Sequence, residues 1–270
     1  MKPLALDVTL FNVAEGITSY IEKNIVRGLP EFKPALCVND GTFVIVGSGP
    51  SLVHFAKDIA AEQARGRPIC AAKGGHDWLL EQGIEPDLFV SIEPRDRRNN
   101  VQKLSEKTAY LLASRCSPDL FDHLIQVAPG RVWMWHAASG DEENAVLKKH
   151  KVPVAVGGAS TSGLRAVNIG YFMGFRKFIF YGMDSCNAPD GVTKRIDGSL
   201  TGQTLDVIVG GPHGRKFICN VAMAKQAEDF QSIYLSMPDI EVESKGDGLI
   251  TAIIEEKKRL RAAREQREAA

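Results

Sequence analysis

The chain has 270 residues, 44% hydrophobic and 24% charged, which suits one large α/β domain with appendages. Lysine plus arginine and aspartate plus glutamate both number 33, so no global charge points to nucleic acid or a membrane surface. No apolar run approaches the ~20 residues of a membrane span. The opening Met1-Lys2-Pro3-Leu4-Ala5-Leu6-Asp7 is a poor signal peptide. The five cysteines are scattered singly, which predicts reduced thiols in a cytoplasmic compartment and no disulfide framework. The histidines are equally dispersed and predict no zinc site.

In chain order, Leu10, Val13, Ile17, Ile21 and Ile25 recur at helical spacing and predict an amphipathic helix over 9–27. A Gly-, Pro- and Asn-Asp-Gly-bearing stretch over 28–40 reads as a linker, so residues 1–40 form an N-terminal helix and linker. Phe43-Val44-Ile45-Val46 then reads as a central parallel strand. It runs into Gly47-Ser48-Gly49-Pro50-Ser51, with Pro50 suited to the first turn of a helix. Further apolar segments at 68–72, 88–92, 110–113, 132–135, 154–156 and 178–181 read as strands. They alternate with helices that include 52–65, 75–83, 99–107 and 160–174. The pattern predicts an α/β fold, a mainly parallel sheet with helices on both faces. Residues 185–204 read as a long polar surface loop, and 206–219 as a β-hairpin around Gly210-Gly211. A helix near 221–235, a strand near 240–243 and a charged helix over 252–270 complete the chain. The main domain thus spans 41–253, and 254–270 is a charged tail, either solvated or an oligomer contact.

Ligands of parallel sheets sit outside the carboxyl ends of the strands, so the strand exits carry the candidate chemistry. Gly47, Ser48, Gly49, Pro50 and Ser51 present a strand–turn–helix junction of the kind that receives phosphate. Tight-turn geometry alone explains the same glycines. The junction lacks the lysine of a P-loop and the third glycine of a dinucleotide fingerprint. If it holds phosphate, Gly49→Val should abolish nucleotide binding and leave the fold intact. Gly158, Ser160 and Thr161 lie in a second small-residue loop that either caps a helix or holds a polar ligand group. Arg95 and Arg97 follow a strand and suit phosphate, against the ordinary reading of a solvated charge cluster. Glu93 and Asp184 sit at two strand ends, where they can act as catalytic acids or bases, bind ribose, or hold Mg²⁺. His76, His136 and His213 are candidate acid/base groups, against the ordinary structural reading of a lone histidine; Trp133 and Trp135 read as core packing.

Together, Val46-Gly47-Ser48-Gly49-Pro50-Ser51-Leu52, Gly83-Ile84-Glu85-Pro86-Asp87, Ser91-Ile92-Glu93-Pro94, Gly157-Gly158-Ala159-Ser160-Thr161-Ser162 and the run Met173 to Asp184 carry a resemblance. The chain resembles the family of archaeal 6-hydroxymethylpterin diphosphokinases (MptE-like) and the central domain of motility-associated-factor (Maf) glycosyltransferases. The likeness extends weakly to Lys245-Gly246-Asp247-Gly248-Leu249. Two positions depart from it: Glu93 stands where the family often has Asp, and Lys73 where it often has a polar residue such as Asn. The resemblance implies a Rossmann-like fold and a nucleotide-dependent transferase acting on a small-molecule or glycan acceptor. Its first branch is glycosyl transfer from a nucleotide-activated sugar, such as a CMP-nonulosonic acid. Its second is Mg²⁺-assisted pyrophosphoryl transfer from ATP to a hydroxymethylpterin. A non-catalytic nucleotide-binding module is the third reading.

Overall fold

The computed structural model describes residues 16–268 except Pro212. Leu10 and Val13 of the predicted first helix, and the last two residues of the predicted terminal helix, lie outside the described residues. The elements run α1 (Ile17–Ile25), β1 (Asn39–Val46), α2 (Ala56–Ala64), β2 (Ile69–Ala72), α3 (Gly75–Glu81) and β3 (Leu88–Ser91). Then follow β4 (Ala109–Ala113), α4 (Pro118–Val127), β5 (Val132–Trp135), α5 (Asp141–Lys149), α6 (Ser162–Phe172) and β6 (Phe175–Tyr181). The last elements are β7 (Leu205–Val209), β8 (Arg215–Cys219), α7 (Val221–Ser236), β9 (Glu241–Ser244) and α8 (Leu249–Glu268).

Seven strands form one parallel sheet in the order β5-β4-β3-β2-β1-β6-β9, and β7 pairs antiparallel with β8. The architecture is Rossmann-like α/β. Strand alternation divides the core. Phe43, Ile45, Phe178 and Phe180 face one layer with residues of α4, α6, α7 and α8. Val44, Val46, Ile179 and Tyr181 face the other with Leu52, Ile59 and Leu79. Both faces of the central strands are therefore dry, and their near-continuous apolar runs follow from that. The chain order reverses between β1 and β6, which lie side by side in register from Thr42/Lys177 to Val46/Tyr181. That is where a parallel sheet opens a crevice.

Several local expectations change. The predicted helix over 99–107 does not form, and only Arg98–Asn100 makes a short 3₁₀ turn. Asp77 accepts from the backbone of Gln102, and the Ser105 hydroxyl accepts from those of Lys107 and Thr108. These side chains offer the backbone an alternative to helical bonding. Residues 154–156 form no strand, and Val156 makes an isolated bridge to Ala137. Pro50 begins a 3₁₀ turn, Pro50–His54, and not an α-helix. Two helices, α4 and α5, stand where no helix was expected. α4 carries Pro118 in its first turn and a Ser117 cap that accepts from Asp119 N.

The 28–40 stretch is tied to the sheet edge: Phe32 N donates to Met134 O, and Met134 N to Pro30 O. α1 packs Ile17 and Ile21 on Leu147, and Asn24 donates to the carbonyls of Ser114 and Cys116. Trp135 is buried as expected, but Trp133 on the edge strand β5 is 40% exposed. No helix among the described residues is long and apolar enough to cross a membrane.

Candidate functional site

The turn after β1 is built for close approach to the turn after β6. A Cβ at Gly47 would lie 2.4 Å from the Gly182 carbonyl oxygen, and one at Gly49 would lie 2.2 Å from Asp184 Oδ2. Neither glycine takes a left-handed backbone; they are small because another strand exit occupies the space. Gly47 N donates to Tyr181 O, and Gly49 N to Gly182 O. Ser51 donates twice to Asp184, from its backbone N at 3.0 Å and from its hydroxyl at 2.6 Å. The chain's own carboxylate thus occupies the two Ser51 donors, and backbone carbonyls those of Gly47 and Gly49, where phosphate was expected. Burial raises the Asp184 carboxyl above its ordinary value, against the two Ser51 bonds, which favour the ionised form. Gly246 and Gly248 close the same knot, since a Cβ on either would meet Ser51 or Asp184. Gly49→Val therefore collides with packed backbone and carboxylate, and its expected innocence toward the fold does not hold.

The second loop is organised from helix α6, which is buried from Ser162 to Gly170. Thr161 caps it, accepting from Leu164 N. Ser160 donates from both N and Oγ to Asp229 of α7, at 3.0 and 2.6 Å. Gly158 has φ +111, and a Cβ there would strike the Asn168 amide. Arg165, 2% exposed, donates to the carbonyls of Ala159, Val156 and Ala138 and to the Ser139 hydroxyl. Burial pulls its guanidinium down to about 10. A single side chain thus ties the loop before α6 to the loop after β5.

The exits of β2 and β3 form a cationic wall. Lys73 follows β2 directly and holds a left-handed backbone, φ 55, that non-glycine residues seldom adopt. Burial lowers its ammonium to about 8, helped by the charges of Arg195, Arg97 and Arg95 and opposed by Glu93. Glu93 is held by Arg95 through two bonds of 2.7 and 2.8 Å, with Arg97 at 4.0 Å. Burial works to raise Glu93, but the Arg95 bonds and the arginine charges prevail and hold it low. As placed, Glu93 and Asp184 each have partners on the chain. No group of three or more His, Cys, Asp or Glu suited to a metal occurs among the described residues.

The exits of β4 and β5 contribute Arg115 and the first turn of α5. Arg115 Nη1 lies 3.3 Å from Glu143 Oε1, while Arg115 Nε and Glu143 Oε2 are buried without a hydrogen-bond partner. Burial raises the Glu143 carboxyl despite Arg115 and Arg165. Arginine and glutamate side chains that are buried but incompletely satisfied mark a place where a ligand's polar groups would complete them.

All these pieces line one cleft of about 820 Å³ at the carboxyl edge of the sheet. Eight cationic side chains (Lys73, Arg95, Arg97, Arg115, Arg165, Lys194, Arg195, Lys225) and four anionic ones (Glu93, Glu143, Asp184, Asp229) line it. It is therefore positive in a chain with no net charge. Gly47, Ser48, Gly49, Glu93, Arg95, Arg97, Gly158, Ser160, Thr161 and Asp184 are brought to it; Pro50 and Ser51 are not among its walls. His76 and His136 are core residues and His213 lies on the hairpin turn, so none of the three reaches the cleft.

The family model described as 6-hydroxymethylpterin diphosphokinase MptE-like matches residues 15–190. The chain belongs to the MptE-like family. The match begins before the sheet, at α1, and ends inside the loop that follows β6. A solved Maf glycosyltransferase from Magnetospirillum magneticum AMB-1 is similar in fold: 14% identity, TM-score 0.62, covering 91% of this chain and 42% of the Maf chain. This chain therefore spans less than half the length of that protein. A mammalian sialyltransferase in complex with Gal-β-1-3GalNAc-ortho-nitrophenol aligns more distantly, with 9% identity, TM-score 0.43, 84% of this chain and 79% of the other. No curated protein sequence matches the chain.

Sequence reasoning missed several charged residues of this cleft, among them Lys73, Arg165, Glu143 and Arg195. Lys73 was visible as the first residue of a strand exit and as a departure from the family pattern, but was not given a role. Arg165 had a signal, an arginine inside the otherwise small and apolar run Gly163 to Gly170. Glu143 had none, because an acid in the first turn of a helix is the ordinary dipole partner. Arg195 sits in a segment read as surface loop. Its neighbour Ile196 instead packs on the core and donates to Ser48 O at 3.0 Å, which folds the segment back onto the cleft.

Proposed function

We propose that this chain is a nucleotide-dependent transferase that moves a sugar from a nucleotide-activated donor to an acceptor hydroxyl in the 820 Å³ cleft. The observation that carries the reading is the pairing, in one cleft, of a cationic wall with the desolvated carboxyl of Glu143. Cations neutralise the phosphate charge that develops as the nucleotide leaves. Glu143, with one unpartnered oxygen and a raised pKa, takes the acceptor hydroxyl proton as its oxygen bonds to the sugar's anomeric carbon. The carbon–phosphate-oxygen bond breaks in the same step, and its electron pair leaves with the nucleotide. The Maf-like fold over 91% of the chain supports this branch. Among donors, a CMP-nonulosonic acid would present a carboxylate to Arg115 as well as a phosphate.

The family description favours a second reading, pyrophosphoryl transfer from ATP to a hydroxymethylpterin. Thermal-shift measurements with CMP, CDP, UDP and ATP, each with and without Mg²⁺, separate the two. Stabilisation by CMP or a nucleoside diphosphate without ATP dependence is expected. Stabilisation by ATP and Mg²⁺ alone would shift the assignment to the diphosphokinase. No response to any nucleotide would overturn both.

A further inference from the structure

We infer that Lys73, Arg97 and Arg195, from three separate stretches of chain, form a binding site for a phosphoester or pyrophosphate group, and that this site, not the Gly47–Ser51 turn, holds the phosphate of the donor. The second half of the statement rests on the function proposed above; the first half does not.

Three observations converge. The first is placement. Lys73 leaves the end of β2, Arg97 follows β3, and Arg195 arrives from the segment after β6, and all three line the same cleft. Each is fixed. Gly75, two residues after Lys73, packs so tightly that a Cβ there would lie 2.1 Å from Gly47 O. The Arg195 segment is a hydrogen-bonded structure. Asp190 accepts from the backbones of Val192 and Thr193, Lys194 N donates to Ser199 O, and Ile196 N is bonded to Ser48 O.

The second observation is charge. Lys73 faces Arg195, Arg97 and Arg95 against a single carboxylate, Glu93. Glu93 is already bonded to Arg95 through both oxygens. Lys73 and Arg195 have no ion pair within 4 Å among the described residues, and Arg97 reaches only the outer limit, 4.0 Å. Asp197 lies within electrostatic reach of Arg195 but outside the cleft walls, so four cations around the engaged Glu93 still leave positive charge in excess in a partly desolvated corner. A phosphate group with two negative charges balances it. Burial first, and the arginine charges after it, lower the Lys73 ammonium, and a bound anion would raise it.

The third observation is that the glycine turn has committed most of its donors. The backbone N–H groups of Gly47, Gly49, Ser51 and Leu52 all have acceptors on the chain, Pro50 has no N–H, and Ser48 alone remains to offer one to the cleft. Side chains, not a backbone cradle, must supply most of the phosphate contacts. The left-handed Lys73 fits this picture, because a strained backbone persists where the structure over-determines it, commonly at a ligand clamp.

The test is isothermal titration calorimetry of the full chain with inorganic pyrophosphate. Lys73→Gly removes the amine and suits the left-handed backbone, so it keeps the fold; Arg195→Met removes the second cation. Each is expected to weaken pyrophosphate binding about tenfold or more, the loss of one charge-assisted contact. Lys107→Met, a remote exposed lysine, is expected to leave binding unchanged. The ratio of wild-type to Lys73→Gly affinity should fall between about pH 7 and about pH 9.5, as Lys73 loses its proton. Pyrophosphate affinities of both variants within about twofold of wild type, or no pyrophosphate binding by the wild-type chain, would overturn the site. If CMP or CDP binds all variants equally, the phosphate assignment fails while the transferase reading stands. If pyrophosphate binds at Lys73 and Arg195 but no nucleotide does, the site stands and the transferase reading fails.

Discussion

Removing the Arg165 side chain should cost the fold heavily. The residue is 2% exposed in the middle of a buried helix, yet its guanidinium joins two loops of the cleft through four acceptors. Arg165→Met keeps the apolar stem and removes every donor. Val156 O retains a partner, because Ala138 N also donates to it. The carbonyls of Ala159 and Ala138 lose the arginine bonds. Leaving a buried acceptor unsatisfied costs about 1–3 kcal/mol. Ala159 is buried and carries that cost in full, while Ala138 is half-buried at the cleft and carries less, so the two together cost about 2–5 kcal/mol, partly offset because a desolvated cation is also removed. A net loss of about 3 kcal/mol is expected. For a chain of this size that corresponds to a fall in Tm of roughly 6–12 °C. Urea denaturation at neutral pH reads the first quantity and a thermal scan the second. Arg165→Lys should recover little, since a point charge cannot span the acceptors that a planar fork reaches. A loss below about 1 kcal/mol for Arg165→Met would refute the reasoning, because it would mean the two loops hold their shape without the arginine.

Gly49→Ala brings a methyl to 2.2 Å from Asp184 Oδ2 and 2.7 Å from Gly182 O, and should destabilise the protein by about 1–3 kcal/mol in urea denaturation; unchanged stability would show that the β1 and β6 turns are not tightly packed. Glu143 has a folded pKa above its unfolded value of 4.5, so its contribution to stability is present below that value and lost as pH rises through the folded pKa. Glu143→Gln removes this dependence. The stability of the variant relative to wild type should rise from acidic to neutral pH, and a flat or falling difference would contradict the burial argument.

Much of the fold was legible in the chain. The apolar segments at 43–46, 68–72, 88–92, 110–113, 132–135 and 178–181 contain or overlap β1 to β6, because a strand dry on both faces has little freedom in composition. The hairpin at 205–219 and helix α7 were equally plain. The 99–107 helix failed because periodicity does not register that Asp77 and Ser105 will take over the backbone there. At the site, the strand-exit rule named Glu93, Arg95, Arg97, Ser160 and Asp184 as candidates, but neither their convergence on one cleft nor their partners. That Asp184 would turn to Ser51, Ser160 to Asp229 and Glu93 to Arg95 depends on contacts 133, 69 and 2 residues apart.

By itself the sequence determined the layered α/β architecture, the order of its main elements and the family, since hydrophobic period and turn residues are local and leave a record in the chain. Only the tertiary structure decided which polar residues face a ligand and which face each other. The glycines of the first turn are there to admit a neighbouring strand exit, and the positive face of the cleft comes from Lys73, Arg97, Arg115 and Arg195, four residues spread over more than a hundred positions. Charge convergence of that kind has no signature along the chain, because it exists only when strand exits are brought side by side.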